Sequence, residues 1–144
     1  MNEATITNQL LDYLRKVNPG PVLKHADKAT IGIPDASVTG QGTTTWLEVK
    51  LVKFRKSKDF DLNTIVNKDG PQYRLMTLLG YYGSSLWVIF FTDGEGWWTY
   101  LWKGRDLSQE LNLSPLFFIN PGSSQPTGKS FESVWIKIQQ ERKR

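Results

Sequence analysis

The segment Gly40-Gln41-Gly42-Thr43 does most to narrow what this 144-residue chain can fold into. A two-residue bend centred on Gln41 and Gly42 suits a β-hairpin, because such turns hold their central residues at positive φ, where glycine is unhindered. Residues 43–52 then run through Thr, Trp, Val and Leu, side chains that fit a pleated sheet. The bend sets a register. Gly40 faces Thr43, Val38 faces Thr45, Ala36 faces Leu47, and Asp35 therefore faces Glu48, with 12 residues between the two acids. Opposed residues share a sheet face, with Cβ atoms roughly 4.5–5.5 Å apart. Lys50 follows Glu48 by two and joins that face. Two carboxylates and one ammonium are thus gathered by local geometry.

Like charges directly opposed on a sheet are unfavourable. One reading of the trio is a cross-strand salt bridge on a solvated hairpin, but a single Lys leaves one negative charge uncompensated. A divalent cation removes that imbalance, and hard cations such as Mg²⁺ take carboxylate oxygens.

The rest of the chain supplies a frame for the hairpin. Ile6, Leu10, Leu11, Leu14 and Val17 recur at helical spacing, which predicts a helix over 3–17 capped by Thr5 or Thr7. Asn18-Pro19-Gly20-Pro21 ends it. Residues 22–33 supply a short strand and a polar loop, and strands follow near 33–39 and over 43–52. Residues 53–69, rich in Lys and Asp, read as a long loop. Pro71 opens a second helix that runs to Tyr82 and stops at Gly83. Leu86 to Thr92 is almost continuously apolar, which predicts a central strand. Asp93-Gly94-Glu95-Gly96 turns the chain back into a strand from Trp97 to Trp102. A short helix over 105–113, a strand over Leu116 to Ile119, a loop over 120–129 and a helix over 130–142 complete the order. The expectation is one α/β domain with a central mixed sheet flanked by helices.

Composition removes several chemistries. There is no Cys, so disulfides, thiolate metal sites and thiol catalysis are excluded, and a single histidine, His25, argues against a multi-histidine centre or a serine-type triad. No apolar run approaches the roughly 18–20 residues of a membrane span, and the N-terminus lacks the pattern of a signal peptide. The formal charge of +4 permits a polyanionic partner without requiring one.

Gly32-Ile33-Pro34-Asp35, then Glu48-Val49-Lys50, then Gln72 opening the next helix, form an ordered set. That set resembles the PD-(D/E)xK nuclease superfamily, in particular virus-type replication-repair nuclease modules and phage and archaeal Holliday-junction resolvases. The resemblance spans roughly residues 5–92. It implies a restriction-endonuclease-like fold and a Mg²⁺- or Mn²⁺-dependent endonuclease acting on DNA, including branched, flapped or four-way-junction DNA. By resemblance, Asp35, Glu48 and the Val49 carbonyl would hold the metal. Lys50 would orient or deprotonate the attacking water and offset transition-state charge, and Gln72 would support the site from its helix. Some family members add a first-helix Glu as a ligand; Glu3, Asn8, Gln9 and Asp12 are the weak candidates for that place here. The family also implies a homodimer, and a cytoplasmic setting in a bacterium, an archaeon or their virus.

Other residues have plainer readings alongside. Lys53, Arg55, Lys56 and Lys58 form a basic run after the hairpin, with Phe54 and Phe60 interleaved: a solvated loop, or a surface that tracks phosphates. Lys24, Lys28 and the basic tail are weaker nucleic-acid contacts. His25 reads first as a surface or hydrogen-bonding residue. Trp98, Tyr100 and Trp102 share one strand face, which is more often core or interface than a base-stacking platform. The competing functions are a non-catalytic nucleic-acid-binding module of the same fold and a protein-assembly domain.

Overall fold

The computed structural model describes residues 2–25, 32–54, 59–107, 116–118 and 127–142. A five-stranded mixed sheet carries the fold, in the order β1 (Val22–Lys24), β2 (Ala36–Gly40), β3 (Thr43–Lys53), β5 (Ser84–Thr92), β6 (Trp97–Lys103). A separate two-stranded sheet pairs β4 (Asp59–Asp61) with β7 (Leu116–Phe118). The helices are α1 (Glu3–Val17), α2 (Leu62–Val66), α3 (Pro71–Tyr82) and α4 (Thr127–Arg142).

The hairpin forms as the sequence predicts. Gln41 and Gly42 have φ of 53° and 75°, and β2 meets β3 with Ala36 against Leu47, Val38 against Thr45 and Gly40 against Thr43. β3 then runs parallel to β5, Glu48 level with Trp87 and Lys50 level with Ile89. Parallel neighbours require a crossover, and α2 and α3 supply it. All nine residues of β5 are buried, as befits a strand with neighbours on both edges and helices over both faces.

Those two faces have separate cores. On one, α1 and α4 pack Ile6, Leu10, Leu14, Phe131, Val134 and Ile138 against Val38, Leu47, Val49, Val88 and Phe90. On the other, Leu62, Val66, Tyr73 and Met76 from α2 and α3 cover Trp87, Ile89, Phe91 and Trp98. Alternation along β3 thus sends Leu47 and Val49 to the first face and Glu48 and Lys50 to the second. The aromatic row of β6 has its plain reading. Trp98 is buried, and Tyr100 and Trp102 pack partly buried against the second core.

Several expectations need correction. Asn2, not Thr5 or Thr7, caps α1: its side chain accepts from the Thr5 N–H at 2.8 Å. Thr7 lies inside the helix, its hydroxyl donating to the Glu3 carbonyl. The stretch 53–69 is no plain loop, since it ends β3 and holds β4 and α2. Leu62 and Val66, one helical turn apart, are both buried, and Asp61 caps α2 by accepting from Asn63 N–H at 2.9 Å. One turn is too short to register as periodicity. β2 begins at Ala36 instead of residue 33, and α4 begins at Thr127, inside the expected loop. A helical turn covers residues 104–107; the remainder of the helix predicted to 113, Ile119 of the predicted last strand, and residues 120–126 of the predicted loop lie outside the described residues.

Candidate active site

The acids meet at the free edge of β3. The β2–β3 ladder stops at Ala36, and Asp35 bends so that its side chain takes the next position on β3. Asp35 Oδ2 accepts the Val49 N–H at 2.9 Å, while the Asp35 N–H donates to Glu48 Oε1 at 3.2 Å. Each carboxylate therefore receives a backbone donor from the other's strand. Lys50 Nζ lies 3.3 Å from Glu48 Oε2 and donates to Gln72 Oε1 at 3.1 Å. Asp35, Glu48, Lys50 and Gln72 are thus one connected set. These residues come from the bend before β2, from β3 and from α3, and only the hairpin part of that convergence follows from local register.

Gly32 explains how α3 reaches the set. Its φ is 89°, and a Cβ there would fall 2.8 Å from the Pro71 carbonyl oxygen and 3.1 Å from the Gln72 nitrogen. The Gly32-Ile33-Pro34-Asp35 segment therefore lies directly on the start of α3, which presents Gln72. A side chain at position 32 would hold the two apart.

Glu48 is 1% exposed. Burial, and next the charge of Asp35, push its carboxyl up to about 7, against the opposing pull of Lys50. A buried acid so close to neutral is poised to exchange its proton for a cation. The side-chain acceptors gathered here are the carboxylate oxygens of Asp35 and Glu48, a ligand type that suits a hard divalent ion. Asp35 and Glu48 are the side chains that could hold one. Among the described residues no three His, Cys, Asp or Glu side chains close around a common point, so further ligands would be backbone, water or substrate oxygens.

Glu3 is the residue the sequence reading set aside. Because Asn2 starts α1 so early, Glu3 is a helical residue whose Oε2 accepts the Leu51 N–H at 3.0 Å. Asp35 and Glu3 thus occupy alternate N–H groups, of Val49 and Leu51, along the same edge. Both line a cleft of about 190 Å³, with Ala4, Thr7, Lys24 and His25. The cap was the available signal: asparagine followed by Glu is a strong helix start. Of the other first-helix candidates, Asn8 receives the Lys24 ammonium at 2.9 Å and Asp12 pairs with Arg15 at 3.1 Å.

Of the basic run, Lys53 is exposed at the end of β3 and lines a separate cleft of about 380 Å³ with Phe54, Thr92, Asp93, Gly94 and Trp97. Arg55, Lys56 and Lys58 lie outside the described residues.

The five-stranded mixed sheet between helices has a counterpart among solved structures. The chain is similar to the solved structure of Hjc, a Holliday junction resolvase from the archaeal hyperthermophile Archaeoglobus fulgidus, at 14% sequence identity and a TM-score of 0.50, over 83% of this chain and 88% of that one. No protein-family model and no curated protein matches the chain.

Proposed function

We propose that this protein is a divalent-metal-dependent endonuclease that hydrolyses phosphodiester bonds in DNA, with a preference for branched or otherwise structured DNA. The observation that carries the reading is the linked set Asp35–Glu48–Lys50–Gln72, with Glu48 buried and raised in pKa. The resolvase-like fold supports the choice of a structured substrate.

Asp35 and Glu48 would hold a Mg²⁺ or Mn²⁺ ion. The Val49 carbonyl fits as a third ligand, because extended backbone directs a residue's N–H and C=O to the same edge, and the Val49 N–H already meets Asp35. Such an ion, when bound, lowers the pKa of a water and neutralises phosphate charge. Lys50 does the remaining electrostatic work: its ammonium, anchored between Glu48 and Gln72, stands as a fixed positive charge where negative charge grows on the phosphate. Gln72 keeps that ammonium aimed. Lys53, with Arg55, Lys56 and Lys58 after it, would bind the strand through its phosphates.

The test is cleavage of labelled linear, flapped and four-way-junction DNA with Mn²⁺ or Mg²⁺. The parent should cut, chelation should stop it, and Asp35→Ala, Glu48→Ala and Lys50→Ala should lower the rate by about 10²-fold or more. Cutting by Asp35→Ala at the parent's rate would remove the site. Salt-sensitive DNA binding that survives loss of the acids, with no cutting under either metal, would instead identify a non-catalytic binding module.

A further inference from the structure

The end of β1 stands in the acid cleft without a part in the chemistry above. His25, the chain's one histidine, prolongs β1 by a residue, its N–H donating to the Asp35 carbonyl at 2.8 Å. The β1–β2 register, Leu23 against Ser37 and Lys24 against Ala36, carries on to place His25 opposite Asp35. Opposed residues share a face, so His25 belongs to the face of Asp35 and Glu48. Its ring is fixed twice: Nε2 lies 2.8 Å from Ser37 Oγ, and the ring centroid lies 5.1 Å from that of Trp46, inclined at 32°. Ser37 is 4% exposed, so its hydroxyl is confined to this neighbourhood. His25 lines the cleft of about 190 Å³ beside Asp35, Glu3 and Lys24.

A ring whose Nε2 meets a hydroxyl still has Nδ1. The Ser37 hydroxyl can either donate to Nε2 or accept from it; in the tautomer where it donates, and in the protonated ring, Nδ1 carries a hydrogen and can donate. Lys24, its ammonium steadied by Asn8 Oδ1 at 2.9 Å, adds positive charge on the same wall. The opposite need is plain. Glu3 and Asp35 repel the anionic strand that must pass them, so each phosphate drawn into this cleft requires a donor from the protein. The β1 wall is where those donors stand.

We propose that His25, with Lys24 beside it, holds a non-scissile phosphate adjacent to the one being cut, and so sets how the strand sits against Asp35 and Glu48. The inference rests on the nuclease reading and deepens it.

Methylphosphonate scanning tests it. Single neutral linkages are placed one at a time around the cut, and cleavage by the parent and by His25→Ala is followed with Mn²⁺. In the parent, one flanking linkage should slow cutting about tenfold, the worth of a hydrogen bond to a charged group. In His25→Ala the intact substrate should be cut about tenfold more slowly, chiefly through KM, and that same linkage should add less than about twofold. The Mn²⁺-induced rise in Tm should match the parent's, which a merely structural defect would not preserve. His25→Phe, which keeps a ring against Trp46 and has no hydrogen-bond donor, serves as the second variant if the alanine fails to fold, with the same loss of the linkage effect expected. A variant that cuts like the parent, or that remains sensitive to every linkage, overturns the inference while leaving the nuclease standing. A parent that cuts no DNA ends both.

Discussion

Among the described residues, Glu48 is the carboxyl whose surroundings most strongly disfavour its charge. Its folded pKa, about 7, lies above its ordinary value of 4.5, so the folded state holds the proton more tightly than the unfolded one. The sign follows: metal-free protein should lose stability as pH rises from about 4.5 through 7, where the buried carboxyl is forced to ionise. Thermal unfolding of the metal-free parent between pH 5 and 8 should show this slope, and Glu48→Gln should flatten it; equal slopes would show that Glu48 does not titrate in that window. Mn²⁺ should raise the parent's Tm at pH 8 and not that of Glu48→Gln, because ions that bind the folded state alone stabilise it by mass action. Gly32 acts by having no side chain. Gly32→Ala combines a φ of 89° with a clash against Pro71, so we expect a loss of about 1–3 kcal/mol in a denaturant titration. An unchanged midpoint would mean that α3 does not rest on this glycine as described.

Among the elements, β3 decides most. It lends one edge to β2 as far as Leu47, then offers the N–H groups of Val49 and Leu51 to the carboxylates of Asp35 and Glu3. A strand edge that would otherwise be unpaired becomes the wall of the site. α1 delivers Glu3 only because Asn2 begins the helix there. Asn2→Ala should cost about 0.5–2 kcal/mol, the usual worth of such a cap, and calorimetry of the pair would measure it; no shift in Tm would place the start of α1 elsewhere. The hairpin allows an opposite prediction. Gln41 holds a φ of 53°, a region where Asn is far better tolerated, so Gln41→Asn should stabilise by a few tenths to about 1 kcal/mol.

At the scale of the molecule, the motif-bearing region shares its core with the C-terminal helix. Residues 5–92 contain Asp35, Glu48, Lys50 and Gln72, yet one face of the sheet that holds them is closed by α4. Phe131, Val134 and Ile138 of α4 are buried there, each contributing roughly 1.5–3 kcal/mol. The Arg142 guanidinium further donates to Asn18 Oδ1 at 2.7 Å and lies 5.3 Å over the Trp135 ring. That contact ties the last turn of α4 to the end of α1. A chain ending at residue 126 should therefore fail to fold cooperatively, which circular dichroism with a thermal ramp would reveal. A sharp, parent-like transition would show that α4 is an appendage.

The hairpin, its register, the pairing of Asp35 with Glu48, and the bounds of α3 were legible in the sequence because each depends on neighbours in the chain. A positive-φ bend dictates who faces whom, and Pro71 and Gly83 mark where α3 starts and stops. α2 was hidden, since one turn has no period to read. Gln72 could be named from the ordered motif, but its hydrogen bond to Lys50 depends on the packing of α3 against Gly32. Glu3 and His25 belong to the same case: they are 32 and 10 residues from Asp35 in the chain, and only α1 and β1, docked on the sheet, bring them into its cleft. Local backbone geometry can be read from adjacent residues. Which distant side chains share a cleft is decided by which faces of helices and strands the core buries together.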